Sequence, residues 1–243
     1  MRREVFVAGA SGVIGRRLIA QLLKAGYLIT GMTRSPHNAM DLERLGATSV
    51  VADVFDGDRL REVVAAARPD VIIHQLTDLS LLAGTSAQAE TAIARNARIR
   101  GEGTRNLVAA AVAAGVPRMV VQSIAWAYAP GKTPHDENDP LDRDAPAPRS
   151  TTVEGVIALE NAVLQTPGLR SAVLRYGRLY GPGTATNVPM GDCPLHVDAA
   201  ARAAVLALER DVSGVFNISE PGGSVSTEKA TKLLAWDHSF RLS

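Results

Sequence analysis

The sequence predicts an α/β fold: a doubly wound parallel sheet with helices on both faces. Two observations predict it. Short apolar runs rich in β-branched residues alternate with longer stretches of helical period, which is the pattern of repeated βαβ units. A glycine cluster also stands between the first apolar run and the first helical stretch, where a tight strand-to-helix turn belongs. The 243 residues, 46% of them hydrophobic, are ample for a buried core, and no repeat of solenoid or propeller period interrupts the alternation.

Each element follows from local signals. Residues 5–8 form the first strand, and a helix over 12–25 ends at Gly26, where a left-handed cap is expected. The reading continues as strand 28–33, helix 39–45, strand 49–52, helix 58–67 and strand 71–74. A long helix over 89–114 stops at Gly115 and Pro117 and leads into strand 119–122. Residues 130–149 hold five prolines with mixed charge and read as a surface loop, because periodicity resumes directly in helix 153–165 and strand 172–176. Beyond Gly181-Pro182-Gly183 the chain is irregular as far as His196. There Asp198 is placed to cap a helix reaching Glu209, followed by strand 215–218 and a short C-terminal helix.

Lys and Arg total 26 against 25 Asp and Glu, so the net charge of +1 supplies no field for nucleic acid or an anionic membrane surface. A small molecule is the expected partner. The one cysteine, Cys193, excludes an internal disulfide, and no signal-peptide pattern and no apolar run near the roughly 20 residues of a membrane span is present. The expected compartment is the cytoplasm, and no metal site is expected.

The turn Gly9-Ala10-Ser11-Gly12-Val13-Ile14-Gly15 opens the first helix. Gly9 permits the tight turn. Gly12 clears the approach of a pyrophosphate to the helix N-terminus, and Gly15 lets the helix close on the sheet. This is the dinucleotide fingerprint of the Rossmann fold, read against the alternative of a tight turn without ligand. Arg34 and Ser35 end the second strand with no carboxylate to grip two ribose hydroxyls. A cation beside a hydroxyl suits the 2′-phosphate of NADP(H), the alternative being an ordinary exposed loop arginine. Asp53 either accepts from the adenine amino group or caps a turn. Val54, Leu76 and Ser123 complete the residues expected around the cofactor. All 243 residues read as one domain, with 177–243 contributing a small, reduced C-terminal substrate-binding region.

These residues resemble the short-chain dehydrogenase/reductase superfamily, in its extended or epimerase/dehydratase branch with atypical relatives. The glycine spacing is shared, as are Gly103-Thr104-Arg105-Asn106-Leu107 ahead of an Ala-rich helix and Val120-Val121-Gln122-Ser123 at a strand end. Leu174-Arg175-Tyr176-Gly177, running into Tyr180-Gly181-Pro182-Gly183, and His196-Val197-Asp198 before a helix extend the likeness over nearly the whole chain. The resemblance implies an oxidoreductase, and a homodimer through the fourth and fifth helices.

The chain departs from that pattern where the proton chemistry belongs. Aligning Glu160 with the Glu that follows the family's Tyr-x-x-x-Lys places Thr152 at the tyrosine and Val156 at the lysine. Residues 150–167 hold no lysine at all. A threonine hydroxyl is too weak an acid to protonate an alkoxide unaided. Counting back from Tyr128 to the family's Ser or Thr reaches Ile124, with Ser123 one position early. Arg100 replaces the family's Asn, and Ala199 its second acidic residue after His196-Val197. The stretch between Gly183 and His196 is short for a sugar-nucleotide pocket.

Tyr128 is the first candidate for proton handling, since it follows the fifth strand at the carboxyl edge of the sheet beside Trp126. Ser123, Thr152, Tyr176, Tyr180, His135 with Asp136, and His196 follow, each with packing or capping as its alternative. Arg95, Arg98, Arg100 and Arg105 either meet an acidic substrate, meet a second subunit or form a solvated helix face. Three readings stand: an NADP(H)-dependent atypical reductase of an apolar, cyclic small molecule; a non-redox cyclase, isomerase or lyase on the same fold; and an NADP(H)-sensing regulatory protein. For the first, the acceptor is one whose product needs no strong protein acid, such as an iminium, a quinone, a conjugated alkene or an activated epoxide.

Overall fold

A computed structural model of the chain describes residues 3–78 and 85–242. Seven strands form one sheet: β1 Glu4–Ala8, β2 Leu28–Thr33, β3 Thr48–Val51, β4 Val71–His74, β5 Arg118–Ile124, β6 Arg170–Tyr176 and β9 Gly214–Ile218. Their order is β3-β2-β1-β4-β5-β6-β9, and every pairing is parallel. The winding reverses between β1 and β4, so the crevice at their carboxyl ends is where such a sheet receives a ligand.

Helices α1 Val13–Lys24 and α7 Val197–Glu209 cover one face, while α3 Gly57–Ala67, α5 Thr104–Ala113 and α6 Arg149–Leu164 cover the other. Strand residues alternate between the two cores. Val5 and Val7 face the first with Leu18, Ile19 and Ala203, whereas Phe6 and Ala8 face the second with Leu60, Val64 and Leu107. A parallel sheet buried on both faces accounts for the continuous apolar runs. Helix α2 Pro36–Arg44 starts three residues earlier than the periodicity predicts, because Ser35 caps it from Asn38 N–H and Pro36 occupies its first turn.

Other boundaries differ from the sequence reading. The long helix predicted over 89–114 is α4 Ser86–Arg98, a π-helical turn at Ile99–Gly103 and α5. Thr85 starts α4 three residues early through a reciprocal capping box with Gln88. The fifth strand runs two residues past its predicted end, so Ser123 and Ile124 pair with Arg175 and Tyr176 of β6. Short strands β7 Arg178–Tyr180 and β8 Pro194–His196 pair in the segment read as irregular. His196, not Asp198, caps α7: its Nδ1 accepts from Asp198 N–H at 3.2 Å. Asp198 instead holds Arg17 of α1 at 2.7 Å. The C-terminal helix is a π-helical turn at Ala230–Leu234. No helix among the described residues is long and apolar enough to cross a membrane.

Candidate functional site

A cleft of about 240 Å³ opens at the crevice between β1 and β4. Gly9, Ser11, Gly12, Arg34, Ser35, Val54 and Leu76, all singled out from sequence, line it. Gly9 has φ +86° and lies so close to Gln75 that a Cβ would stand 2.7 Å from its carbonyl, so the turn tolerates no side chain there. At Gly15 a Cβ would meet the Gly9 carbonyl at 2.3 Å, which is the tight closure of helix on turn. Gly12 differs, because its missing Cβ would approach only Gly9 O, at 3.3 Å. Helix α1 has Gly12 as its N-cap and no side chain capping it. Its leading amides, on Val13, Ile14 and Gly15, find no backbone acceptor among the described residues. An uncapped helix N-terminus with a bare approach is a fit for a dinucleotide pyrophosphate.

The far wall holds the residues expected at the ribose and adenine. Arg34 is half exposed, with its guanidinium 3.8 Å from Asp78, and Asn38 joins it in the lining. Ser35 Oγ accepts from Asn38 N–H at 3.3 Å. Asp53 Oδ1 accepts from Phe55 N–H at 3.0 Å, the turn-capping alternative of the sequence reading, and it lies outside the cleft lining. Phe55 itself lines the cleft, held from behind by the Arg98 guanidinium 3.9 Å from its ring centre. Met32, Thr33, Asn38, Phe55, Gln75, Thr77 and Ile99 were not picked out from sequence. A glycine pattern marks one side of a crevice, and the residues opposite have no motif of their own.

The proton-handling candidates lie elsewhere and are mostly engaged. Ser123 is fully buried, and its hydroxyl donates to Glu160 Oε1 at 2.8 Å. Arg175 donates to both oxygens of the same carboxylate, at 2.9 and 2.7 Å, a buried bidentate pair. The same arginine donates to the Tyr128 hydroxyl at 2.7 Å, and that hydroxyl donates to Asn217 Oδ1 at 2.7 Å. Burial outweighs Arg175 and pushes the Tyr128 phenol up, the direction opposite to a proton donor's need at neutral pH. His135 stacks on the Tyr128 ring at 5.0 Å and bonds to Asp139.

Tyr176 is buried and accepts from Gln75 Nε2 at 3.3 Å, and burial raises its phenol too. Tyr180 bonds to Glu220 and meets His196 edge-on. His196 occupies the cap of α7, with Gly181 against its Nε2. Thr152, in the first turn of α6, is nearly buried, and Val156 one turn later is wholly so. Among the described residues no group of three or more metal-ligating side chains gathers.

A family model described as the NAD dependent epimerase/dehydratase family matches residues 5–194. The 3-diazoavenalumate denitrifying reductase of a Streptomyces species is 42% identical over 238 residues, 89% of this chain and 76% of that protein. A 4-hydroxy-2-methyl-3-oxo-4-farnesyl-3,4-dihydroquinoline-1-oxide ketoreductase from Stigmatella aurantiaca is 30% identical, over 76% of this chain and 53% of its own. In fold, the chain is similar to Candida albicans Gre2 solved in complex with NADPH, at TM-score 0.78 and 16% identity, covering 99% of this chain and 95% of that one. It is also similar to a Thermotoga maritima UDP-glucose 4-epimerase, at TM-score 0.77 and 20% identity over 98% of this chain and 94% of that one.

Proposed function

This chain belongs to the NAD dependent epimerase/dehydratase family and is an NAD(P)H-dependent oxidoreductase, and from that premise we propose that it is an NADPH-dependent reductase of a cyclic small molecule whose acceptor centre needs no proton from the protein. A bound nicotinamide supplies hydride. Val13, Ile14 and Gly15 hold the pyrophosphate through their amides, and Arg34 with Ser35 meets the 2′-phosphate.

One observation carries the reading of the acceptor: the Ser123 and Tyr128 hydroxyls donate to Glu160 and Asn217 within the protein, and the Tyr176 phenol is pushed up by burial; the resemblance sets Val156 at the family's lysine. A ketone acquires alkoxide charge on reduction and needs a donor beside it. An aryl diazonium does not, because hydride adds to the ring carbon, the C–N bond breaks with its electron pair leaving on nitrogen, and dinitrogen departs. The products are an arene, dinitrogen and the oxidised cofactor. That the 42% identical Streptomyces protein is named a denitrifying reductase of a diazo compound supports this class.

The test uses NADPH deuterated at C4, with 4-methoxybenzenediazonium and acetophenone as alternative acceptors. The expected result is deuterium on the ring carbon of the arene, above the enzyme-free rate, and no turnover of the ketone. Ketone reduction that collapses in Tyr128→Phe, or turnover without net cofactor consumption, would overturn it.

A further inference from the structure

Of the four arginines between residues 95 and 105, only one is sealed inside the protein. Arg95 lies 3.6 Å from Asp78, Arg98 pairs with Glu102, and Arg105 is exposed. Arg100 is 5% exposed. Its Nε has no acceptor, and no carboxylate among the described residues pairs with it. Burial drags the guanidinium down to about 10, with no neighbouring carboxylate to restore it, so it still carries its charge at neutral pH. A buried charge with no partner is among the least tolerated features of a protein interior. A ligand bringing a negative charge would supply the partner that the protein does not.

The place of Arg100 in the fold bears on which ligand that is. Arg100 sits in the π-helical turn Ile99–Gly103. Four residues on, the Thr104 hydroxyl bonds to His74 Nε2 at the carboxyl end of β4. Four residues back, the Asn96 amide clasps the backbone of Asp78, at 2.9 and 2.5 Å. The stretch carrying Arg100 is thus pinned over the ligand-binding edge of the sheet, beside Ile99 and Leu76 of the cleft wall. The charge of Arg100 reaches His74 and, after burial itself, helps hold that imidazole neutral. Gln75 Oε1, which is in the cleft wall, is a second buried polar atom without a partner, and Arg100 lies behind that wall, next in the chain to Ile99 of the lining.

We propose that Arg100 receives an anionic group of the substrate, a carboxylate, so that the molecule reduced is a ring acid. One guanidinium fork matches one planar carboxylate bidentately, and a single buried positive charge is neutralised by a single negative one. The inference rests on the reductase reading for its substrate, but it can be tested without turnover.

Cinnamate and its neutral isostere cinnamamide are titrated calorimetrically into the protein, with and without saturating NADP. The wild type is expected to bind cinnamate at least about tenfold more tightly, Arg100→Gln to bring the two within about twofold, and Arg100→Lys to keep part of the preference. Equal affinities in the wild type, an absence of measurable cinnamate binding, or a preference that survives Arg100→Gln would each overturn the proposal. NADP affinity separates the sources of the anion. It is expected to stay within about twofold in Arg100→Gln, and a loss matching that of Arg34→Ala would hand the arginine to the cofactor. Melting without ligand separates recognition from structure. Arg100→Met is expected to melt at or above the wild type, since a partnerless charge is removed, and a fall of several degrees would make the arginine structural. Failure of the reductase reading shows separately, as no oxidation of NADPH by any acceptor.

Discussion

Two polar regions meet the carboxyl edge of the sheet, and they are built on opposite terms. Around β1 and β4, the α1 amides have no cap, the Arg34 guanidinium is half exposed, and Gln75 Oε1 has no partner. Around β5, β6 and β9, the chain Ser123, Glu160, Arg175, Tyr128 and Asn217 is buried and joined by hydrogen bonds of 2.7–2.9 Å. Unsatisfied groups at a cleft wait for a ligand, whereas a closed network holds strands and helix together. The contrast separates polar groups left open to a ligand from polar groups that satisfy one another inside the fold.

The largest effect should come from opening the closed network. Glu160→Gln strands the Arg175 charge in the interior and should cost about 3–5 kcal/mol, read by urea denaturation, while NADPH affinity stays unchanged. A loss under about 1 kcal/mol would mean that the network does not hold strands and helix together.

His74 sharpens the boundary between the two regions. Burial, then Arg100, lowers its pKa from 6.5 to about 4. Its Nδ1 accepts from Leu76 N–H, so Nε2 carries the proton to Thr104. With the folded value depressed, the unfolded chain binds the extra proton between pH 6.5 and about 4. Stability is therefore full above pH 6.5 and falls as pH drops through that window, by about 3 kcal/mol. His74→Gln should flatten the dependence in melts recorded at pH 7 and pH 4.5, and an unchanged slope would show that other groups govern it.

On the cleft side, Gly12→Ala adds a methyl group on the path of the pyrophosphate, its one close contact in the fold being the Gly9 carbonyl oxygen at 3.3 Å. NADPH affinity should drop about tenfold, roughly 1.4 kcal/mol, with melting little altered. A fall in melting temperature with affinity intact would mean that the glycine serves the turn alone. Tyr128→Phe is expected to be the mildest change. It removes one hydroxyl from the network, about 1 kcal/mol of stability, and should leave the rate of reduction within about twofold. A loss of several orders of magnitude in rate would return Tyr128 to chemistry and erase the contrast.

Much of this was legible in the chain because it is local. Strand and helix periods and the Gly9 to Gly15 turn depend on neighbours within one turn or one pleat, so they can be read without knowing what packs where. The π-helical turn at Ile99–Gly103 and the β7–β8 pair were not legible, since neither has a period that a local pattern reveals.

The sequence by itself determined the order of the winding elements, the glycine approach to α1 and the absence of lysine from α6. Only the tertiary structure decided which polar side chains are used up and which are left open. Ser123, Glu160 and Arg175 are brought together by β5–β6 register and the packing of α6. Arg95, Arg98 and Arg105 reach solvent while Arg100 does not. Burial and pairing are properties of what surrounds a group in space, and the energy of a charge is set by that surrounding rather than by its own identity.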